Sequence, residues 1–140
     1  MKTILFIFVG FSALLAPNTT TETYTLEVEL AGLNSEKGLV RICLMNTESQ
    51  FLRDCIDGFN YDFSREGQHA VTFNNLAPGQ YAIMAYHDED GDGKLDCEGL
   101  FGLPSEPYAF SNNPSTLFGP PAYRKCVFTV AENRKIKLKF

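Results

Sequence analysis

Hydrophobic and polar positions alternate along most of this chain, in short segments separated by turn-forming residues. In the segment YTLEVEL, Leu26, Val28 and Leu30 share one face and the charged residues share the other. A period of two predicts strands with one buried face. No segment keeps a helical period over three turns. Alternating segments, together with an apolar run at 80–87 and a short segment at 126–130, predict seven strands, at 24–30, 39–45, 59–63, 69–76, 80–87, 126–130 and 135–140.

Short strands of this kind, with turn signals between them, predict an all-β, seven-stranded Greek-key β-sandwich. The strand QYAIMAYH is almost entirely apolar, which is typical of a central strand covered on both sides. Before it, Pro78 and Gly79 fit the central positions of a type II turn, with glycine at positive φ. Tyr81 then either returns its hydroxyl to the backbone, as in a tyrosine corner, or is simply a core aromatic.

The N-terminal segment has the layout of a secretory signal peptide. Lys2 precedes an apolar run over 4–15, which is shorter than the roughly 20 residues that usually span a bilayer. We therefore expect a signal peptide at 1–17 and one domain at 22–140. This organisation predicts export to the periplasm or cell surface, with no transmembrane segment in the mature chain.

Charge and cysteine content narrow the possible functions. The net charge of −5 argues against nucleic acid as a partner, because nonspecific binding depends on Lys and Arg. Four cysteines in an exported chain predict two disulfides, and the lack of a Cys-x-x-Cys pair argues against zinc. Three connectivities are open; we favour Cys43–Cys55 with Cys97–Cys126, because the first joins neighbours along the chain.

The segment YHDEDGDGKLDCEG carries the strongest chemical signal. Counted from Asp88, acidic residues recur at alternate positions and Gly93 is sixth, as in an EF-hand calcium loop. The pattern then departs, because Gly99 is found where the bidentate glutamate belongs and a strand, not a helix, enters the loop. The predicted metal ligands are side-chain oxygens of Asp88, Asp90, Asp92, Asp96 and Glu98, and the carbonyl oxygen of Lys94.

Calcium is the cation that these ligands favour. Crowded carboxylates repel one another unless a cation or water offsets the charge. Calcium accepts six to eight oxygen ligands in flexible geometry, whereas magnesium prefers a tight octahedron with retained waters. The alternative is a solvated, acidic hairpin tip. His87, just before the loop, is expected to be hydrogen-bonded at the strand end rather than to bind the metal.

A long segment at 100–124 contains five prolines and several aromatics. Its aromatic content predicts an ordered flap close to the metal loop rather than disorder. Asn112 and Asn113 are expected at left-handed turn positions. The aromatics either fill the core or form a recognition surface. The ligand-binding candidates on that second interpretation are Tyr108, Phe110 and Tyr123.

Four motifs occur along the chain in this order: LAPGQYAI, HDEDGDGKLD, GLPSEPYAFSNN and GPPAY. Through these motifs the chain closely resembles a family of short exported bacterial proteins, and the resemblance covers roughly residues 24–140. That family is known only as a domain of unknown function. The resemblance implies a bacterial source and a transthyretin- or prealbumin-like sandwich, and it implies no activity. The acidic loop is also similar to the calcium loops of B-type domains in bacterial adhesins, which share that sandwich. The cysteines are not part of the family pattern.

Nothing in the sequence marks a catalytic site. There is no nucleophile beside a base, and the two histidines lack metalloprotease spacing. Transthyretin-like ureide hydrolases end in Tyr-Arg-Gly-Ser, whereas this chain ends in KIKLKF. The expected function is a non-catalytic, calcium-stabilised module for binding or assembly, with a cell-envelope protein or glycan as partner. The alternative is a carbohydrate- or peptide-binding module that uses the 100–124 aromatics, and a hydrolase is less favoured.

Overall fold

The computed structural model describes residues 21–33, 35, 37–62, 69–99 and 103–140, so the predicted signal peptide lies outside the described residues. Within these ranges the fold is all-β, with a 3-10 turn at Glu48–Gln50 and a short helix, α1, at Tyr123–Cys126. The strands are β1 (Tyr24–Ala31), β2 (Leu39–Met45), β3 (Asp57–Tyr61), β4 (Ala70–Leu76), β5 (Gly79–Asp88), β6 (Cys97–Glu98), β7 (Leu103–Pro104), β8 (Tyr108–Phe110), β9 (Phe128–Val130) and β10 (Arg134–Lys139).

Two sheets enclose the core. The smaller sheet has the order β10-β1-β4, and the larger has the order β3-β2-β5-β8, with β9 also paired to β5. Strands β1 and β10 run parallel, and β6 and β7 form a separate small hairpin. The predicted inward residues Leu26, Val28 and Leu30 are at most 4% exposed. They share one cluster with Phe73 of β4 and Ile83 of β5, which places the core between the sheets.

Each of the seven predicted segments overlaps an observed strand, but seven is too low a count. Within the described ranges the structure has three further short strands, β6 at the end of the acidic loop and β7 and β8 after it. Their two or three residues are too few for an alternating pattern to be visible. The predicted sixth strand also begins late, because Cys126 ends α1.

Strand β5 is central, as its apolar sequence predicts, and pairs with β2, β8 and β9. At its start the Tyr81 hydroxyl donates a hydrogen bond to the Ala77 carbonyl oxygen at 2.8 Å, which confirms the predicted return to the backbone. The prediction of a type II turn at Pro78 and Gly79 is wrong, because positive φ occurs at Asn75 and not at Gly79. Gly79 already pairs with Val130 as the first residue of the strand.

One disulfide is present, between Cys43 and Cys55, whose Cα atoms are 5.3 Å apart. The second predicted bridge is wrong, because Cys97 and Cys126 are free thiols. Cys97 is exposed on the small hairpin, whereas Cys126 is buried at the end of α1. Burial raises the pKa of the Cys126 thiol to about 11, so this group stays protonated at neutral pH.

The segment after the acidic loop packs on the outer face of the larger sheet. There Phe110 lies 5.7 Å from Phe51 and 5.8 Å from Tyr108, between ring centroids, and Phe51 lies 5.6 Å from Tyr123. Phe110 is only 1% exposed, so of the two interpretations of these aromatics its burial favours a core role. Tyr108 and Tyr123 are partly buried against the same cluster.

Two asparagines hold this segment in place. Asn112 and Asn113 have φ of 64° and 48°, which confirms the predicted left-handed turn. The Asn112 side-chain Nδ2 donates to the Val127 carbonyl oxygen at 2.7 Å, and the Asn113 side-chain Oδ1 accepts the Lys139 N–H at 2.8 Å. The turn therefore connects the segment to both sheets. In the part of the chain described, no helix is long and apolar enough to cross a membrane.

Candidate metal centre

Asp88 is the last residue of β5 and the first of the acidic loop, and it is fully buried. Its Oδ1 accepts the Gly91 N–H at 2.8 Å, and its Oδ2 accepts the Gly93 N–H at 3.1 Å. These two glycines have φ of 78° and 87°, a region that residues with a Cβ rarely adopt. The loop therefore curls around a buried carboxylate at the end of the central strand.

Arg41 of β2 approaches the same carboxylate, with its Nε 2.6 Å from Asp88 Oδ2. Burial by itself raises the pKa of Asp88, but the hydrogen bonds from Arg41, Gly91 and Gly93 and the charge of Arg41 outweigh it. The pKa of Asp88 is therefore lowered. Asp88 consequently carries its negative charge at neutral pH although it is buried.

Glu106 is a buried residue of the site that the sequence pattern missed. It is 9% exposed, between β7 and β8. Its Oε1 accepts the Glu89 N–H at 2.9 Å, and its Oε2 accepts the Asp96 N–H at 3.1 Å. One side chain from outside the loop thus connects the two ends of the loop. The sequence signal for this residue was weak: an acidic residue between the two prolines of the segment GLPSEPY.

Three carboxylates converge at this point. One oxygen atom each of Asp88, Asp90 and Glu106 lies within 4.8 Å of the other two. Asp88 and Glu106 are buried and Asp90 is exposed, so the group is open to solvent on one side. Negative charges so close together repel, and carboxylate oxygens are the ligands that hard cations such as calcium prefer.

The other predicted ligands lie outside this group of three. Asp92, Asp96 and Glu98 are exposed. The side chains of the loop largely support its own backbone: Asp90 Oδ1 accepts the Asp92 N–H at 3.0 Å, and Asp92 Oδ1 accepts the Lys94 N–H at 2.7 Å. The structure therefore brings together two of the predicted ligands, Asp88 and Asp90, and adds Glu106.

The pKa of Asp96 reports the electrostatic field of the loop. The pKa of this exposed carboxyl is raised first by desolvation from neighbouring groups, and then by the negative charges of Asp90, Asp92, Asp88 and Glu98. The loop is therefore a region of concentrated negative potential even though Arg41 pairs with one of its members.

His87 lies beside the loop but faces another direction. Its side chain is fully buried, with Nε2 2.7 Å from the Lys37 carbonyl oxygen and Nδ1 3.5 Å from Glu89 Oε1. It does not belong to the group of three carboxylates. This placement agrees with a histidine that is hydrogen-bonded at the end of a strand.

The sheets and the loop define an all-β, two-sheet domain with a candidate cation site at the end of its central strand. The chain belongs to the family DUF2141, described as an uncharacterized protein conserved in bacteria, whose family model matches residues 28–137. This range contains most of both sheets, the acidic loop and Glu106, and it confirms the expected bacterial family of unknown function. No curated protein and no solved structure matches the chain.

Proposed function

We propose that the domain is an exported, calcium-stabilised, non-catalytic β-sandwich of the transthyretin-like, Greek-key type, which serves binding or assembly at the cell surface or in the periplasm. The observation that supports calcium is the convergence of Asp88, Asp90 and Glu106 within 4.8 Å. The Cys43–Cys55 disulfide supports export, because disulfides persist mainly in oxidising compartments.

The three carboxylates retain the capacity to bind a cation. A carboxylate offers about four lone-pair positions. Asp88 accepts three hydrogen bonds, from Arg41, Gly91 and Gly93, and Glu106 accepts two. Each therefore has a remaining position for a metal. Arg41 offsets one negative charge, and a dication offsets the charge of the other two carboxylates.

The loop favours calcium over magnesium. Calcium tolerates irregular geometry and six to eight ligands, so three carboxylates can be supplemented by water or by other loop oxygens. Asp92, Asp96, Glu98 and the Lys94 carbonyl are the proposed supplementary ligands. Since Glu106 precedes β8 and Asp88 ends β5, an ion bound here would connect two paired strands of the larger sheet.

A calorimetric titration tests this proposal. Calcium should bind the wild-type protein with an affinity in the range of extracellular modules, on the order of 10⁻⁴–10⁻³ M, and more tightly than magnesium. The Asp90→Asn variant should bind calcium at least about tenfold more weakly, because it removes a charged ligand. Glu132→Gln is a matched control, since it removes an acid that is exposed and lies outside the loop. Absence of binding at millimolar calcium would exclude the proposed site.

The alternative of a carbohydrate- or peptide-binding module that uses the 100–124 aromatics has less support. Phe110 is buried, and the Tyr108 hydroxyl donates a hydrogen bond to the Thr116 carbonyl oxygen at 3.2 Å. Tyr123 packs on Phe51. The described aromatics at these positions therefore mainly stabilise the segment, and the partner of the domain is proposed to be a cell-envelope protein or glycan that contacts another surface.

A further inference from the structure

The most exposed apolar side chains of the described chain lie at the tip of a tight turn over Thr116–Gly119. The Gly119 N–H donates to the Thr116 carbonyl oxygen at 3.0 Å, so Leu117 and Phe118 occupy the two central turn positions. Leu117 is 78% exposed and Phe118 is 97% exposed. The turn therefore presents a leucine and a phenyl ring to solvent, and we call it the Leu-Phe tip.

The Leu-Phe tip is held by the fold. The Tyr108 hydroxyl of β8 donates to the Thr116 carbonyl oxygen at 3.2 Å, and two prolines follow Gly119 directly. Proline restricts the backbone, so the tip loses little conformational freedom when it contacts a partner. An apolar side chain that is presented in this way is suited to insertion into a pocket of matching size.

A pocket of about 250 Å³ lies on the outer face of the larger sheet. Its lining includes two rows of residues that face each other across β3, β2 and β5. The first row is Asn60, Arg41 and Tyr86, and the second is Gly58, Cys43 and Met84. The volume is below the roughly 300 Å³ at which small-molecule sites begin, and above the roughly 150 Å³ cavity that accepts benzene. It therefore suits a single aromatic side chain.

The polar groups around this pocket already have partners within the protein. Arg41 donates hydrogen bonds to Asp88 through Nε and to Asn60 through Nη1. The Tyr86 hydroxyl donates to the Gly93 carbonyl oxygen at 3.0 Å. The Cys43–Cys55 disulfide and Met84 contribute apolar surface to the lining. An apolar ring therefore fits this lining better than a polar ligand.

The pocket and the Leu-Phe tip belong to the same face of the same sheet. Tyr86, which lines the pocket, lies directly opposite Tyr108, which holds the tip, so both side chains project from one face. When a projection and a matching pocket share one face, two copies related by a two-fold axis can insert into each other. Such an interface is closed and does not lead to filaments.

We propose that this face is a self-association surface, in which Phe118 of each copy enters the pocket beside Tyr86 and Met84 of a second copy. A membrane is the less suitable occupant for the tip. The chain carries a net charge of −5, and the acidic loop borders the pocket through Tyr86, so anionic bilayers would repel it. The same loops repel each other across the dimer, so association strengthens as salt concentration rises.

Sedimentation equilibrium of the mature protein, at about 1 μM to 1 mM, tests the proposal. Chelator is present throughout, so that the result is independent of calcium. Phe118→Ser should weaken dimerisation at least about tenfold. Asn60→Tyr should also weaken dimerisation, because the introduced tyrosine ring would cover the mouth of the pocket. Both positions are exposed, and a thermal melt checks that each variant folds. Leu52→Ser is the control, since Leu52 is exposed but lines neither feature.

A mixture of the two variants gives the sharpest result. In a Phe118→Ser/Asn60→Tyr heterodimer one intact tip still meets one intact pocket, so the heterodimer should be tighter than either variant homodimer. A wild-type protein that stays monomeric at every concentration and salt level overturns the proposal. A dimer that both variants leave unchanged also overturns it. So does a monomer that binds phosphatidylcholine vesicles through Phe118, because the tip would then be a lipid anchor.

Discussion

Asp88 combines two properties that oppose each other, full burial and a negative charge, and the balance between them depends on Arg41. A buried carboxylate is tolerated only when hydrogen bonds and opposite charge replace its hydration. The lowered pKa shows that they do so here. Arg41 and the glycine N–H groups therefore hold the start of the loop by themselves, and the proposed ion would act mainly on Asp90 and Glu106.

The pH dependence of stability should report this balance. A lowered folded-state pKa stabilises the protein above the unfolded value of roughly 3.9, and this stabilisation is lost as pH falls through the folded-state pKa. Asp88→Asn should lower the free energy of unfolding by about 2 kcal/mol at pH 7 in chelator, because it removes a charged hydrogen-bond acceptor. It should also flatten the loss of stability below about pH 4.

Urea unfolding at several pH values measures both effects. Glu29→Gln is the matched control, because its pKa is also lowered, by the hydrogen bond from Lys137, but on the surface. Solvent screens such a pair, so the control should change stability much less. If the two variants behaved alike, the buried pair would have no special role.

At the level of elements, the four cysteines divide into one structural pair and two unlike thiols. The disulfide joins β2 to the segment that leads into β3, across a sequence separation of 12 residues. Closing such a loop restricts the unfolded chain and stabilises the fold. Cys97 and Cys126 belong to different elements, a surface hairpin and α1, and only one of them reaches solvent.

Chemical labelling should distinguish these cysteines. The native, unreduced protein should react with iodoacetamide at Cys97 only, because Cys126 is buried and its pKa is about 11. After denaturation without reductant, two thiols should react and one disulfide should remain. Replacing Cys43 and Cys55 together by serine should lower the free energy of unfolding by about 2–3 kcal/mol. Mass spectrometry of the labelled peptides counts the free thiols. If none were found after denaturation, the predicted Cys97–Cys126 disulfide would be supported instead.

For the whole molecule, the proposed calcium site predicts that ion binding and folding are coupled, because its carboxylates come from the end of β5 and from the residue ahead of β8. A ligand that binds only the folded state stabilises it by RT ln(1 + [L]/Kd), about 2.7 kcal/mol at one hundred times Kd. For a domain of this size that corresponds to a rise in melting temperature of about 10 °C. The rise should be smaller with magnesium.

Scanning calorimetry in chelator and across a calcium titration measures this rise. Asp90→Asn should melt at the same or a higher temperature than wild type in chelator, because repulsion within the loop is reduced, and should gain less from calcium. Glu132→Gln should follow wild type in both conditions, as it leaves the loop unchanged. A melting temperature that is independent of calcium in the wild-type protein contradicts the proposed role of the loop.

Local sequence was sufficient for the features that depend on neighbouring residues. Alternation, and an apolar run for β5, predicted seven segments that each overlap a strand, and the chemistry of asparagine placed the left-handed turn at Asn112 and Asn113. The spacing of acidic residues from Asp88 predicted a metal loop, and of its six predicted ligands Asp88 and Asp90 belong to the group of three carboxylates. These properties are set by side-chain period and backbone preference, which act over a few residues.

Tertiary structure alone decided which distant residues meet. Glu106 joins Asp88 because β8 pairs with β5, and no local pattern encodes that pairing. The same pairing buries Phe110, which sequence could not distinguish from an exposed aromatic. Cys97 and Cys126 are free because the hairpin and α1 occupy different places in the fold. Such contacts join residues far apart along the chain, so they follow from how the sheets assemble and not from the order of residues within any one segment.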